Sequence, residues 1–456
     1  MIPRHHSLKT FESRRKTLAD ALTPDLDLLI YFNTAEKIRN HDTEYSYRGD
    51  SSFLYMTGFP ESGSAFTLSR EKGQKSGAKS VFKIFTLEKN AQKEQWTGLR
   101  YGPQGAVKTF GATNAYVNTE LKTQFLEWMK SRPKGAPVRI LTNALHDPEL
   151  RSELYALLDS YVGRSRLGAA QIVAIEDIGP FIQTMRLIKD AEEMKTMRYS
   201  ARIAADAHLK ALGALRPGIY EYEIQAVIES EFLRQGASGV SYNSIVASGT
   251  NATILHYNSN NRLMKDGELL LIDAGCEYHS YASDITRTFP VGGRFSVAQR
   301  NIMDIVADAH QEAILVSRAG TAYPKVHEAA TNALIDGLRT LKLLKGPKKE
   351  ILKTDAHRRY YPHGTGHWLG LDVHDNSPYV DAKGAPLRLK PNMVFTVEPG
   401  LYFLPNDKTV PAEYRGIGVR IEDDVVVKAK GSAEIITTKL PRYAAEIESF
   451  MSGTKR

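Results

Sequence analysis

ELLLIDAGCEYHSYASDITRTFP, residues 268–290, decides the fold of the second half of this chain. An apolar run, Leu269 to Ile272, ends on a carboxylate, Asp273, followed by a glycine. Eleven residues later a second carboxylate, Asp284, lies inside another strand-like run, Ser283 to Phe289. Apolar runs of this length, bounded by turn residues, read as buried strands. Asp266-Gly267 supplies the turn before the first, and Pro290 with Gly292-Gly293 closes the second. A bare carboxylate in a low-dielectric interior is costly, so both aspartates need cations or basic side chains as partners.

A chain of 456 residues exceeds the usual size of one domain, and two domains are expected. The composition, 42% apolar and 25% charged, is that of an ordinary globular protein. Cys276 is the only cysteine, which rules out an internal disulfide and suits a reducing compartment. No apolar run approaches the roughly 20 residues that span a bilayer. The start, MIPRHHSLKTFESRRK, lacks a secretory signal's apolar stretch. A cytoplasmic enzyme without membrane attachment is expected. The net charge of +8 raises nucleic-acid binding. Its lysines, however, gather in polar stretches such as 71–80 and 343–353, with no interleaved aromatics, so no nucleic-acid partner is expected.

Along the chain, residues 10–30 read as an amphipathic helix, a break at Pro24 and a strand. Residues 45–69 read as short aromatic-rich strands around a Gly-Phe-Pro turn. Helix and strand patterns continue to about residue 145, giving a mixed α/β first domain. The Gly58-to-Gly63 spacing lacks the Lys and Ser/Thr of a phosphate loop. Residues 186–236 hold two helices: Asp190 starts the first, Pro217-Gly218 breaks it and Gly236 ends the second. A domain boundary falls just before them, dividing 1–185 from 186–456. Further helices are expected at 296–318 and 324–342, so the second domain is α+β.

An internal echo links the two ends of this second domain. LLLIDAG (269–275) resembles VFTVEPG (394–400), and ASDITRT (282–288) resembles GVRIEDD (418–424). Two strand pairs delivering two acids each would face one another across an approximate two-fold axis. Between them lies YYPHGTGHWLGLDVHD (360–375), with His363, His367 and His374. Gly364 and Gly366 allow close backbone approach or a simple turn. Three histidines in twelve positions beside four strand-borne acids point to a site. Four carboxylates and one imidazole suit Mn²⁺, Co²⁺ or Zn²⁺. That much negative charge calls for two ions, typically about 3.5–4 Å apart. The plainer alternative pairs the acids with Arg287, Arg420 and nearby lysines.

In the contexts IDAG, ASDITRTF, HGTGHWLGLDVHD, VEPGLY and RGIGVRIEDD, the residues Asp273, Asp284, His367, Glu398 and Glu422 resemble the ligand motifs of the pita-bread metallopeptidases. Within them the chain is most similar to the Xaa-Pro aminopeptidase (aminopeptidase P) family, with prolidase a close relative. The match runs from about residue 186 to 428, and YRGDSSFLYMTGF and QWTG extend it into the first half. The resemblance implies an aminopeptidase P-type α/β first domain and a pita-bread second domain with a pseudo-two-fold repeat. It implies a homodimer or homotetramer acting on peptides that begin Xaa-Pro. It also implies two ions per chain, commonly manganese. Asp284 and Glu422 would bridge them, Asp273 would complete one and His367 with Glu398 the other. Glu398 would move the proton, His374 would stabilise the oxyanion, and Arg420 would hold a bridging carboxylate. His256 (in ILHY) and His363 match further histidines of the family.

Two departures stand out. Some relatives meet the substrate amine with a first-domain acid, where this chain has Ser52, with Asp50 nearby. Prolidases carry an arginine about fourteen residues before the VEPG glutamate; here Gly384 stands there, beside Lys383 and with Arg388 further on. This favours an aminopeptidase over a dipeptidase. A metal-free binding protein or creatinase-type hydrolase on the same fold would have lost ligands that this chain keeps. Methionine aminopeptidase lacks the large first domain.

Overall fold

The computed structural model describes residues 6–72, 78–162 and 169–454. The chain divides into two compact units, Met1–Met185 and Arg186–Arg456.

The first unit is built on a six-stranded mixed sheet. Its order is Asn114–Val117, Ala78–Thr86, Ala65–Lys72, Asp27–Phe32, Pro137–Thr142 and Gln171–Asp177. Asp27–Phe32 is buried along its whole length, which explains its unbroken apolar run. The aromatic stretch after residue 45 departs from expectation, because Ser51–Thr57 is a helix and not a strand. Its ends decide this. The Asp50 carboxylate accepts the Phe53 N–H at 2.7 Å and the Tyr31 hydroxyl at 3.0 Å, and Gly58 closes the helix at φ 65°. Ser52 is buried in its first turn.

The second unit opens with helices Ala191–Ala214 and Glu221–Arg234. The first starts where Asp190 and Glu193 exchange side-chain and backbone bonds. Helices Val297–Val316 and Pro324–Thr340 pack together later in the unit. The quoted stretch supplies the centre of an antiparallel sheet, Ile245–Ser248, Leu269–Asp273 and Thr286–Pro290, in which Asp273 opposes Thr286. Two more antiparallel pairs follow: Val394–Val397 with Asp423–Val426, and Gly400–Tyr402 with Gly418–Arg420. Among the described residues one bridge, Thr286 to Glu422, joins the two sets.

Only Asp273 of the four acids lies within a strand. The second run begins at Thr286 and not at Ser283, leaving Asp284 just ahead of it. The cause is the Asp284 N–H, which turns out of the ladder to the Asp424 carboxylate at 3.2 Å. Glu398 and Glu422 likewise sit where one strand ends and the next begins. Interrupted ladders free these side chains to converge.

Candidate metal centre

Asp284, His367 and Glu422 each place a ligand atom so that all three lie within 4.8 Å of one another. They line a cavity of about 610 Å³, together with Asp273, Glu398, His256, His363, His374 and Arg420. Every site residue expected from sequence therefore faces one space.

Close backbone packing brings them there. A Cβ on Gly275 would fall 1.8 Å from the Ser283 carbonyl oxygen, so the turn after Asp273 is tight enough only for glycine. A Cβ on Gly366 would meet the Thr396 carbonyl at the same distance. That approach lets the Thr396 N–H donate to the His367 carbonyl and the His367 N–H to the Thr396 hydroxyl, so that His367 stands beside Glu398. Behind the acids, Arg287 donates to the carbonyls of Thr286 and Glu422 at 2.9 and 2.7 Å and to Asp423 at 2.8 Å. Asp423 also takes a 2.6 Å bond from Arg442, so the chain bearing Glu422 is pinned from behind.

Charge in the site is unbalanced. Among the described residues only Asp273 of the four acids pairs with a lysine or arginine, its Oδ2 lying 2.6 Å from Arg420. Arg420 was expected on a bridging carboxylate. Instead it reaches Glu422 through Thr286, which accepts from Arg420 Nε at 3.1 Å and donates to Glu422 at 2.7 Å. Burial, then the neighbouring Asp284, raises the Glu422 carboxyl well above the usual range. Burial likewise raises Asp273, and lifts Glu398 to about 7 against the pull of His367. Burial lowers His367, but its bond to Asp284 and the charge of Glu398 outweigh it and bring the imidazole up to about 9. Protons here take the place of missing positive charge, so the donor set fits divalent ions.

The histidines differ in role. His367 Nδ1 gives its proton to the Trp368 carbonyl at 3.1 Å, and Nε2 points at Asp284 and Glu398, 3.5 and 3.7 Å away. A carbonyl-anchored Nδ1 with Nε2 aimed at the acids is the arrangement of a metal-binding imidazole. His363 is fixed by a different chain: Arg420 donates to the Tyr402 hydroxyl (2.8 Å), Tyr402 to His363 Nε2 (2.9 Å), and Nδ1 to the Gly364 carbonyl (2.7 Å). Burial and then Arg420 push His363 down to about 4, so it stays neutral. The exposed His374 ring stands 4.2 Å from that of His367, edge to face. Burial of its inner part, then His367, lowers its pKa.

Residues 195–429 match the model of metallopeptidase family M24, and residues 11–136 that of the aminopeptidase P N-terminal domain. The chain belongs to metallopeptidase family M24. Its resemblance to the aminopeptidase P group spans the whole length. A Xaa-Pro aminopeptidase of Escherichia coli (strain K12) is 38% identical over 99% of both chains. The structure of Pseudomonas aeruginosa aminopeptidase PepP matches with a TM-score of 0.93, at 38% identity over 100% of each chain. That of aminopeptidase P from E. coli with the inhibitor Pro-Leu matches at 0.92, with 36% identity and 99% of each chain covered. This M24 chain is thus a metallo-aminopeptidase with an aminopeptidase P-type first domain and a pita-bread second domain.

Sequence reading missed one member of this M24 site. The Tyr242 hydroxyl contacts Asp273 Oδ1 at 2.6 Å and Asp284 Oδ1 at 2.5 Å, tying together the two acids of the quoted stretch. Its surroundings, SYNSIV, contain no acid or histidine to draw attention. Thr286 and Tyr402 lay inside quoted motifs, but only the fold reveals their link to Arg420.

Proposed function

We propose that this chain releases the first residue of peptides whose second residue is proline, using two divalent ions, with manganese the first choice and cobalt or zinc the other fitting ions. The carrying observation is the convergence of Asp284, His367 and Glu422 within 4.8 Å on the wall of a peptide-sized cavity. The Pro-Leu inhibitor of the E. coli enzyme and the Xaa-Pro naming of the relative support the substrate class. Asp284 and Glu422 would be shared between the ions, Asp273 serving one and His367 with Glu398 the other. When bound, the ions supply the charge that acidifies a water and polarises the scissile carbonyl.

The chain's own groups do the rest. Glu398 takes the proton of the attacking water and returns a proton to the prolyl nitrogen as it leaves, a task open to a carboxylate that lines the cavity beside His367. His374, kept neutral, offers an imidazole N–H to the carbonyl oxygen as it gains charge. His256 and His363 flank the substrate from the same cavity wall. Arg420 steadies Asp273 directly and Glu422 through Thr286. A single cysteine, buried, suits a reducing compartment. From the family likeness we read the chain as a cytoplasmic homodimer or homotetramer.

His374→Ala tests the oxyanion role. Turnover should fall roughly 10²–10³-fold while the bound metal is unchanged, the scale of a lost oxyanion donor. Loss of an ion, measured by elemental analysis, would instead make His374 a ligand.

Peptide length provides the defining assay. A dipeptidase needs a cation for the carboxylate that follows proline. Among the described residues Arg420 is the only lysine or arginine lining the cavity, and it is already engaged by Asp273, Tyr402 and Thr286. Arg388 donates to the Gly320 carbonyl at 2.8 Å and is absent from the lining. Lys383 sits exposed in a turn closed by Asp381, whose carboxylate accepts the N–H groups of Lys383 and Ala385. Without a preorganised fork, a terminal carboxylate loses a contact of about 1.5–3 kcal/mol. Xaa-Pro-Yaa peptides should therefore exceed the matching Xaa-Pro dipeptides in kcat/KM by about tenfold or more. A clear preference for the dipeptide, at equal metal loading, would make the chain a prolidase.

A further inference from the structure

Among the described residues the His374 ring makes no hydrogen bond; its one ring contact is His367. Its aim therefore rests on the backbone that carries it. The residues beside it are held firmly. Asp375, directly after His374, is buried with its carboxylate between two cations: Lys189 Nζ lies 3.0 Å from Oδ2 and Arg186 Nη2 2.9 Å from Oδ1. Arg186 also grips Asp372, two residues before His374, at 2.6 Å. Lys189 donates to the Arg186 carbonyl at 2.7 Å, and its own N–H bonds to the Asn392 carbonyl at 3.0 Å. The Asp375 N–H reaches the Trp368 carbonyl at 2.9 Å, so the loop closes on the residue next to His367.

These two acids and two cations balance in charge and span 186 residues of sequence between Arg186 and Asp372. The Lys189 and Asp375 side chains are each 1% exposed. Removing one member of a buried pair leaves an uncompensated charge, so such a group tolerates little displacement. The turn fits around it closely: a Cβ on Gly370 would lie 2.0 Å from Asp375 Oδ2 and 3.0 Å from Lys189 Nζ.

We propose that Arg186 and Lys189 are positioning residues for the peptidase reaction: by gripping Asp372 and Asp375 they fix the loop that aims His374 at the substrate carbonyl oxygen. This rests on the role given to His374 above. A group that must meet a developing charge has little tolerance, and a displacement of about 1 Å can cost about 10²-fold in rate.

The test is a pair of double-mutant cycles in the metal-loaded enzyme. Asp372→Ala, at a half-exposed position, removes one of the two carboxylates that meet Arg186 Nη2, and Arg186→Gln removes the guanidinium from both. Each should lower kcat by about tenfold or more with KM within about twofold and unchanged metal content. In a His374→Ala background the same substitutions should cost less than about twofold, because the group they position is gone. Equal losses in both backgrounds would overturn the proposal and assign the cluster a general structural role. Should Arg186→Gln fail to fold, the Asp372→Ala cycle decides alone. An undiminished kcat in His374→Ala itself would overturn the assignment of His374 on which the proposal stands.

Discussion

Glu398→Gln is expected to lower turnover by at least about 10³-fold while leaving the fold intact. The amide matches the carboxylate in shape, so neither packing nor the backbone bond from the Glu398 N–H to the Thr365 carbonyl is disturbed. Two things are lost together. One is a negative charge among donors that gather around His367, whose Nε2 lies 3.7 Å from Glu398. The other is the carboxyl that takes the proton of the attacking water and returns it to the leaving nitrogen. General acid–base catalysis alone accounts for about 10²–10⁴ in rate, and weaker ion binding adds to the loss. Steady-state kinetics at saturating metal, with metal content measured in parallel, separates the two contributions. Activity within about tenfold of the parent would mean that another group moves the proton.

The residues that line the cavity were legible because each sits in a short local pattern of acids or histidines, with glycine close by at Asp273, His367 and Glu398. Glycine marks close approach, and at Gly275 and Gly366 close approach is what sets the site. The first helix of the second unit was legible from Asp190 at its start, and the structure adds the reciprocal bonds of Asp190 with Glu193 and of Ser296 with Gln299. Two kinds of feature were hidden. At Ser51–Thr57 the aromatic, strand-like composition was overridden by an Asp50 cap and a left-handed Gly58. The acids' supporting contacts were hidden because they join residues far apart in sequence. Tyr242 lies 31 and 42 residues from its two aspartates, and Lys189 lies 186 from Asp375. A tyrosine or lysine carries no sign of its partner until the chain folds. Sequence therefore picked out residues that line the cavity, and the structure supplies what holds them.

Exhaustive chelation is expected to abolish turnover and to leave a folded protein whose stability falls as pH rises. Glu398 titrates at about 7 in the fold against 4.5 for an ordinary glutamate, burial being the main cause. Its protonated form is favoured by the fold, so its contribution is complete below 4.5 and is lost as pH climbs through about 7. His367, brought to about 9 from 6.5 by Asp284 and Glu398 in spite of burial, contributes fully below 6.5 and loses that contribution by about 9. Both groups have the same sign. His363 and His208, lowered to about 4 by burial, work in the opposite sense, but above about 6.5 they are neutral in both states, so the melting temperature of stripped protein should decline between about pH 6.5 and about pH 9. Divalent ions should reverse the decline, most strongly at the alkaline end, because the ligands must be deprotonated to bind them. Ions that bind only the folded state add about 4 kcal/mol at a thousandfold excess over their dissociation constant. Calorimetry with and without added manganese, beside an activity assay on the same samples, measures all of this. Full turnover in protein free of metal would end the metallopeptidase mechanism for this chain. A stripped protein that grew more stable from pH 6.5 to pH 9 would show that the four acids are balanced by cations of the chain itself, whereas among the described residues the only such pair is Arg420 with Asp273.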